Sequence, residues 1–380
     1  MYSFYEFFAG GGMARLGLGS RWQCLLANDI DEKKAGSYAA NWGDKNMLVK
    51  DIAKVASTDL PGIADLIWAS FPCQDLSLAG SGAGLAGERS GTFWPFWNIV
   101  KDLQSEGRKP NLIVLENVCG ALSSHGGKDF CAIADAMANT GYRFGAVIMD
   151  AVNFVPQSRP RLFIVGINEG LEVPESLQLE SPASYWHTNS LQSAYERLSP
   201  QTQAKWIWWN LAEPKPRNSV FADLIEDNPK SIDWHTPQET ERLLAMMSDV
   251  NIQKVRQAQA SGERKVGTLY KRTRPDGKGG RVQRAEIRFD DTAGCLRTPG
   301  GGSSRQLIML VEDDAVKSRL LSPRETARLM GLPDSYILPD KYNEAYHLTG
   351  DGLVVPVVSH LEEFLLTPLM QAQSSLKEAA

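Results

Sequence analysis

Three stretches of this chain carry residue types that do chemistry, and each adjoins an apolar run. Ala64 to Trp68 leads into Ala69-Ser70-Phe71-Pro72-Cys73-Gln74, which reads as a buried strand running into a Pro-Cys turn. A cysteine at the carboxyl end of a strand, beside a proline that fixes the backbone, is where an α/β enzyme presents a thiolate nucleophile. Taken alone, such a cysteine is more often a buried structural one, so its neighbours must decide. Asn111 to Leu115, the clearest strand of the chain, ends in Glu116-Asn117-Val118. In a parallel sheet Cys73 and Glu116 would share the edge where ligands bind. Gln157-Ser158-Arg159-Pro160-Arg161 precedes a further strand, Leu162 to Gly166. Two arginines alternating around a proline on an extended segment project the same way and could clamp phosphate or a base. Singly, each is more often a surface arginine.

The elements that position these groups begin at the N-terminus. Ser3 to Ala9 predicts a first strand, followed by Gly10-Gly11-Gly12 and an amphipathic segment with Met13, Leu16 and Leu18 on one face. Strand, glycine turn and helix start together set backbone N–H groups and a helix dipole beside a ligand pocket. The dinucleotide fingerprint needs a third glycine where Arg15 stands, so the nicotinamide pattern fails. A second strand, Gln23 to Ala27, ends at Asn28-Asp29, where nucleotide-binding α/β folds hold a ribose hydroxyl. Asp29 also suits a helix start, because Asp31-Glu32-Lys33-Lys34 opens a helical pattern through Tyr38. Lys50-Asp51-Ile52 precedes another loop, and Gly141 to Met149 supplies one more strand. Gly80 to Gly91 is rich in glycine; after a nucleophile it reads equally as a lid or as a plain surface loop.

Composition sets the outer limits. With 380 residues, 43% of them hydrophobic and 22% charged, the chain has an ordinary globular make-up and room for two domains, or for one with a large insertion. No apolar run reaches membrane-spanning length and the N-terminus lacks a signal peptide's basic start, so a cytoplasmic enzyme with no membrane partner is expected. Five scattered cysteines, none arranged as Cys-x-x-Cys, fit a reducing compartment and predict no metal site. After Ile167 the strand–helix rhythm stops. Residues 168 to about 320 are polar and rich in proline and tryptophan. The net charge of −5 argues against nucleic-acid binding by the whole surface, yet Lys254 to Arg288 holds eleven Lys/Arg against Glu263, Asp276 and Glu286. That local excess is the footprint of a polyanion-binding face, the plainer reading being a solvated charged surface. Arg297-Thr298-Pro299-Gly300-Gly301-Gly302 permits close backbone approach to a partner. Ser322-Pro323-Arg324-Glu325 has the form of a helix N-terminus, and a last helix follows Pro356.

Phe8-Ala9-Gly10-Gly11-Gly12, Asn28-Asp29, Asp51-Ile52, Phe71-Pro72-Cys73-Gln74, Glu116-Asn117-Val118, Gln157 to Arg161 and Arg324-Glu325 occur in that order. Their order and spacing resemble the DNA (cytosine-5) methyltransferase family, over residues 3–167 and about 296–360. One such motif is weak; the whole set in order is specific. The resemblance implies a doubly wound, Rossmann-like α/β domain that binds S-adenosyl-L-methionine, with a smaller, irregular target-recognition domain. Its divisions would be a first catalytic part at 1–167, recognition at 168–320, and a return to the catalytic domain at 321–380 with a C-terminal helix.

By the same resemblance Cys73 is the nucleophile, and Glu116 and Arg161, with Arg159, hold the target cytosine. Phe8, Ala9, Gly10, Gly11, Gly12 and Met13 would line the cofactor pocket with Asp29, Ile30, Asp51 and Ile52. Pro72, Phe93, Asp351, Gly352 and Leu353 would complete it, Asp29 taking the ribose hydroxyls and Asp51 the adenine amino group. Gln74, Ser77, Asn117, Gln157, Arg297, Thr298, Gly301 and Gly302 would lie at the DNA. Two positions depart from the family: Met13 stands where another glycine is usual, and Asp351 replaces the asparagine of a Gly-Asn pair. Asp351 is then expected to contact the amino-acid end of the cofactor. The implied partner is double-stranded DNA, in the prokaryotic nucleoid, with a cognate restriction endonuclease if the enzyme is not an orphan. A monomer is expected, since an asymmetric target needs no two-fold axis.

Overall fold

A computed structural model describes residues 1–72, 90–275, 279–298 and 305–379. Cys73, Gln74, Ser77, most of the Gly80–Gly91 stretch, Gly301 and Gly302 lie outside the described residues. The chain forms two compact units. One comprises Met1–Asp150, Pro160–Pro214 and Val355–Ala380, the other Ala151–Arg159 and Lys215–Val354.

The first unit is organised by a seven-stranded sheet made of β1 (Tyr2–Phe7), β2 (Trp22–Asp29), β3 (Met47–Val49), β4 (Leu66–Ala69), β5 (Leu112–Val118), β6 (Tyr142–Asp150) and β7 (Pro160–Asn168). Their spatial order is β3-β2-β1-β4-β5-β7-β6. The first five strands pair in parallel, and β7 runs antiparallel to both β5 and β6. β4 and nearly all of β5 are buried, as expected where helices cover both faces of a parallel sheet. Those helices are α1 (Met13–Leu18), α2 (Glu32–Trp42), α3 (Phe93–Ser105) and α4 (Lys128–Asn139). After β1 the chain builds outward through β2 and β3, then crosses to the other side of β1 for β4. Ligands in such sheets bind at the carboxyl ends of the strands flanking that reversal. The architecture is the doubly wound α/β fold expected from the strand–turn–helix pattern.

Residues 168–214 stay with this sheet. They contribute the short ribbon β8 (Gln178–Leu179) and β9 (Trp208–Trp209), with α5 (Asn189–Glu196) and α6 (Pro200–Gln203) between. Trp206 packs edge-on against Phe144 of β6 at 5.4 Å, and Phe144 exchanges backbone hydrogen bonds with Lys205 and Ile207. The compact units therefore divide at 150, 160, 214 and 354 rather than at 167 and 320.

The second unit contains α7 (Pro237–Ala245), α8 (Asp249–Ala260), β10 (Lys265–Pro275), β11 (Arg281–Arg288), β12 (Leu307–Glu312) and β13 (Ala315–Leu320). The four strands form an antiparallel sheet in the order β11-β10-β12-β13. Its core gathers Leu243, Met247 and Val255 from the helices with Leu269, Ile287 and Met309 from the strands. The helix start at Ser322 is as the sequence implies. Ser322 Oγ accepts from Glu325 N–H at 3.1 Å, and Glu325 Oε2 accepts from Ser322 N–H at 2.7 Å, capping α9 (Pro323–Leu329). After α10 (Tyr342–Asp351) the chain returns to the first unit as α11 (Val355–Leu361) and α12 (Thr367–Ala379). α11 packs on α1 where Gly17 leaves no room for a side chain: a Cβ there would sit 2.4 Å from Val358 Cβ. The helical run Tyr342–Ser374 does reach the length and apolarity of a membrane span, against expectation, but 67% of its most apolar window is buried inside the protein.

Candidate active site

The glycine turn closes over the carboxyl ends of β1 and β2. Ala9 N–H donates to Asn28 O at 2.9 Å and Gly12 N–H to Ala9 O at 2.8 Å. The Asp29 carboxylate ties the turn to β2, accepting from Gly10 N–H at 2.8 Å and from Asp31 N–H at 2.9 Å. Two of its four acceptor directions stay unused by these bonds. Phe8 at φ 57°, Gly10 at 54° and Gly12 at 77° all adopt the left-handed region, which for Phe8 is a strained choice of the kind found at ligand clamps. The two glycines differ in surroundings. A Cβ on Gly10 would meet nothing within 4 Å, whereas one on Gly12 would lie 2.4 Å from Trp42 Nε1. Ala9 and Met13 are buried, so the Met13 side chain is enclosed by the fold. Ile30 is 66% exposed directly after Asp29, and Ile52 is buried. The Asp51 carboxylate caps the turn at Ile52–Lys54, accepting from Ala53 N–H at 3.0 Å.

Glu6 is a member of this edge that the sequence reading passed over. It sits in β1 between Tyr5 and Phe7, 2% exposed, and its Oε2 has no hydrogen-bond partner among the described residues. Burial pushes its pKa up to about 8, against the pull of the Arg15 guanidinium and of the Arg15 and Ala14 N–H groups. Glu6 therefore holds the start of α1 as a protonated carboxyl near neutral pH. The available signal was a lone acid inside an aromatic strand, four positions before the glycine turn at Gly10.

Across the sheet, register explains the second group. Glu116 pairs with Phe163 and Val118 with Arg161 on the antiparallel β5–β7 ladder, so Glu116 and Arg161 are diagonal neighbours on one face. Arg161 Nε lies 3.3 Å from Glu116 Oε1, with side chains 17% and 11% exposed, and Arg161 Nη1 donates to Pro160 O at 2.9 Å. Asn117, 5% exposed, donates from Nδ2 to Phe71 O at 3.2 Å and accepts from Val118 N–H at 2.8 Å. That bond ties the end of β5 to the segment after β4, which continues to half-buried Pro72. Phe93 does not reach an open edge. It is fully buried, stacked on Trp97 at 5.5 Å and tilted against Phe71 at 5.3 Å.

The remaining expected site residues belong to the second unit, and Gln157 and Arg159 are put to a different use there. Gln157 is fully buried. Its amide donates to Leu329 O at 2.8 Å and accepts from Leu296 N–H at 3.0 Å. Arg159, 3% exposed, donates to the carbonyls of Leu296, Gly350 and Gly352, each at 2.9 Å. The alternation argument for Arg159 and Arg161 thus fails, because β7 begins at Pro160 and Arg159 lies before it. Arg159 instead clamps the segment before Arg297 to the turn after α10. There Thr298 Oγ1 donates to the Asp351 carboxylate, so Asp351 has a partner within the protein. Arg297 and Asp351 are exposed, Thr298 and Gly352 half-buried and Leu353 buried.

A nucleoside-bearing cofactor fits the donor set of the first unit. Asp29 and Asp51 carry carboxylates able to accept from hydroxyl and amino groups, Ile30 offers an exposed apolar surface, and Gly10 leaves open space beside the turn.

Asp29 and Glu116 thus stand at the carboxyl ends of strands in a doubly wound sheet, where such folds bind ligands. The family model for C-5 cytosine-specific DNA methylases matches residues 2–366, and the chain belongs to that family. It is a DNA (cytosine-5-)-methyltransferase that acts on DNA. Among its relatives, Type II methyltransferase M.BsuFI of Bacillus subtilis is 34% identical over 98% of this chain and 74% of its own length. Type II methyltransferase M.HhaI of Haemophilus parahaemolyticus is 26% identical over 94% of this chain and 92% of its own. The solved structure of the Entamoeba histolytica methyltransferase EhMeth shares the fold, with a TM-score of 0.65 at 15% identity, over 97% of this chain and 99% of that one.

Proposed function

We propose that the chain transfers the methyl group of S-adenosyl-L-methionine to C5 of a cytosine flipped out of a specific duplex sequence, through a Cys73–C6 adduct. The observation that carries this reading is the Glu116–Arg161 pair beside the Asn117–Phe71 bond. Together these gather an acid, a base clamp and the turn before Cys73 at one end of one sheet. Cytosine C5 is a poor nucleophile until a thiolate adds at C6. Glu116 would hydrogen-bond N3 and relieve the charge that develops on the ring, while Arg161 would hold O2. Attack from above the ring plane requires the base to leave the stack. The cofactor supplies an electrophilic methyl group when bound. Asp29 would hold its ribose, Asp51 its adenine amino group and the Gly10 turn its methionine part. The second unit would serve as the recognition module, with Arg159 positioning the Thr298 segment, and the protein would act as a monomer. The Type II names of its relatives support a place in a restriction-modification system.

The deciding experiment supplies labelled S-adenosyl-L-methionine and duplex DNA to the protein and to Cys73→Ser. Label enters DNA only with the unaltered chain, and 5-fluorocytosine in the duplex traps a covalent complex; label transfer by the serine variant would overturn the adduct. The glycine turn offers a second check. Gly10→Ala adds a methyl to open space, at a backbone cost of about 1–2 kcal/mol, and is expected to weaken cofactor binding at least tenfold with a small change in Tm. Gly12→Ala adds the clash with Trp42 and should lose about 2–5 kcal/mol of stability. Calorimetric titration and melting separate the two, and wild-type cofactor affinity in Gly10→Ala would contradict the placement.

A further inference from the structure

β10 outruns its sheet. It pairs with β12 only from Lys265 to Leu269 but with β11 from Thr268 to Pro275. Beyond Leu269 the two strands are therefore a ribbon projecting past the rest of the sheet. Paired residues share a face, and faces alternate along each strand. On one face Leu269, Ala285 and Ile287 are buried against Leu243 and Met247 of α7 and its C-terminal turn and Val255 of α8. The other face carries Tyr270, Arg272 and Arg274 opposite Glu286, Arg284 and Val282. Tyr270 Oη donates to Cys295 O at 3.3 Å, and a Cβ on Gly294 would sit 2.6 Å from that oxygen. The segment running to Arg297 and Thr298 thus lies on the Tyr270 face.

One carboxylate organises the guanidinium groups there. Glu286 accepts from Arg274 Nε at 2.5 Å and Nη2 at 2.9 Å and pairs with Arg272 Nε at 3.5 Å. Arg272 also lies over the Tyr270 ring at 5.5 Å. The Arg272 and Arg274 side chains remain 52% and 48% exposed, so their outer N–H groups stay open to a partner while Glu286 orients Arg274 through two hydrogen bonds. The Arg284 side chain has no hydrogen-bond or ion-pair partner among the described residues.

From this geometry we infer that the Tyr270 face of the ribbon is the surface that reads bases, with Arg272 and Arg274 the specificity-determining residues and Glu286 the residue that positions them. The occupant is the major-groove edge of duplex DNA. A two-stranded ribbon fits that groove, and an oriented guanidinium matches guanine O6 and N7 bidentately. The inference rests on the DNA-methylating function proposed above and names which side chains select the sequence.

The test measures methyl transfer to duplexes randomised around the target cytosine, read by bisulfite sequencing, with binding followed as salt is varied. Arg274→Ala and Arg272→Ala should each lower transfer at the preferred sequence about 5- to 100-fold and relax the preference at a guanine position. Glu286→Gln keeps both arginines but loosens them, and should relax the same positions less. Arg256→Ala on α8 serves as the charge control and should leave the preference unchanged. A uniform loss across all sequences, with the slope of log affinity against log salt reduced by about 1, would make these arginines phosphate contacts and overturn the inference. Unchanged preference and affinity would remove the ribbon from the DNA altogether. Failure of the proposed function itself would show in the unaltered protein, as no transfer to any duplex.

Discussion

Glu116→Gln is expected to lower the rate of methyl transfer about 10²- to 10⁴-fold, the range for removing a positioned proton donor, with DNA affinity little changed. The substitution keeps the shape of the side chain and an oxygen facing Arg161 Nε, now 3.3 Å from Glu116 Oε1. What it removes is a carboxyl group able to share a proton with the ring at the moment negative charge appears there. That loss corresponds to about 3–5 kcal/mol of transition-state stabilisation. Arg161→Lys should also be costly. A lysine ammonium lacks the planar fork that meets Glu116 through Nε while Nη1 holds Pro160 O at 2.9 Å. The readout that isolates the effect is release of tritium from [5-³H]cytosine in duplex DNA, since in the proposed mechanism C5 would exchange its proton only after Cys73 had added at C6. Glu116→Gln should slow release in step with transfer. A variant that transfers within threefold of the unaltered chain would show that Glu116 carries no proton in the rate-limiting step.

How far the site could be read in advance depended on the kind of interaction that builds it. The strand-end positions of Asp29, Glu116 and Arg161 were legible because an apolar run announces each strand, and register in one sheet then brings Glu116 and Arg161 together. The capping box at Ser322 and Glu325 was legible because both partners lie within one turn. The partners of Gln157 and Arg159 were not legible because they are remote in sequence. Leu329, Leu296, Gly350 and Gly352 offer backbone carbonyls and an N–H, and no side-chain pattern marks a carbonyl as a partner. The chain's departure into the second unit at Ala151 and its return at Pro160 is set by such bonds, among them Ser158 N–H to Ala293 O at 2.9 Å. The strand rhythm runs straight across that excursion. The tryptophans after 200 misled in the other direction. Trp206 and Trp208 meet edge-on at 5.2 Å, and Trp206 packs on Phe144 of β6, so they extend the core of the first unit. The basic stretch showed its charge in the sequence, but only pairing registers show that Arg272, Arg274 and Arg284 share a face.

The Arg319–Glu325 pair should dominate the stability of the second unit, and Glu325→Ala is expected to cost about 3–5 kcal/mol, the usual penalty for stranding one partner of a buried ion pair. Both side chains are 0% exposed. Arg319 donates to Glu325 through Nη1 at 2.7 Å and Nη2 at 2.6 Å, and Glu325 also accepts from Glu226 N–H at 2.7 Å. With the capping bond from Ser322 N–H, the carboxylate thus serves four donors drawn from three separate segments. Arg319 further donates to Glu226 O at 2.6 Å and stands over the Trp234 ring at 4.7 Å. Alanine at 325 would leave a guanidinium without its counter-charge where water cannot reach it, and would uncap α9 as well. For a unit of this size the loss corresponds to a fall in Tm of roughly 10 °C. The double change Arg319→Met with Glu325→Gln separates the two contributions. With no buried charge left, it should recover a large part of the loss while the N–H groups of Ser322 and Glu226 keep one amide oxygen to share. Calorimetry of the two single variants and the double then gives the coupling energy directly, and strict additivity would mean that the pair contributes packing alone. Because α9 leads through Leu329 O to the Gln157 amide, and Gln157 holds Leu296, the same damage should also loosen the segment that ends at Thr298. Glu325→Ala is therefore expected to lower DNA affinity at temperatures well below its own melting point.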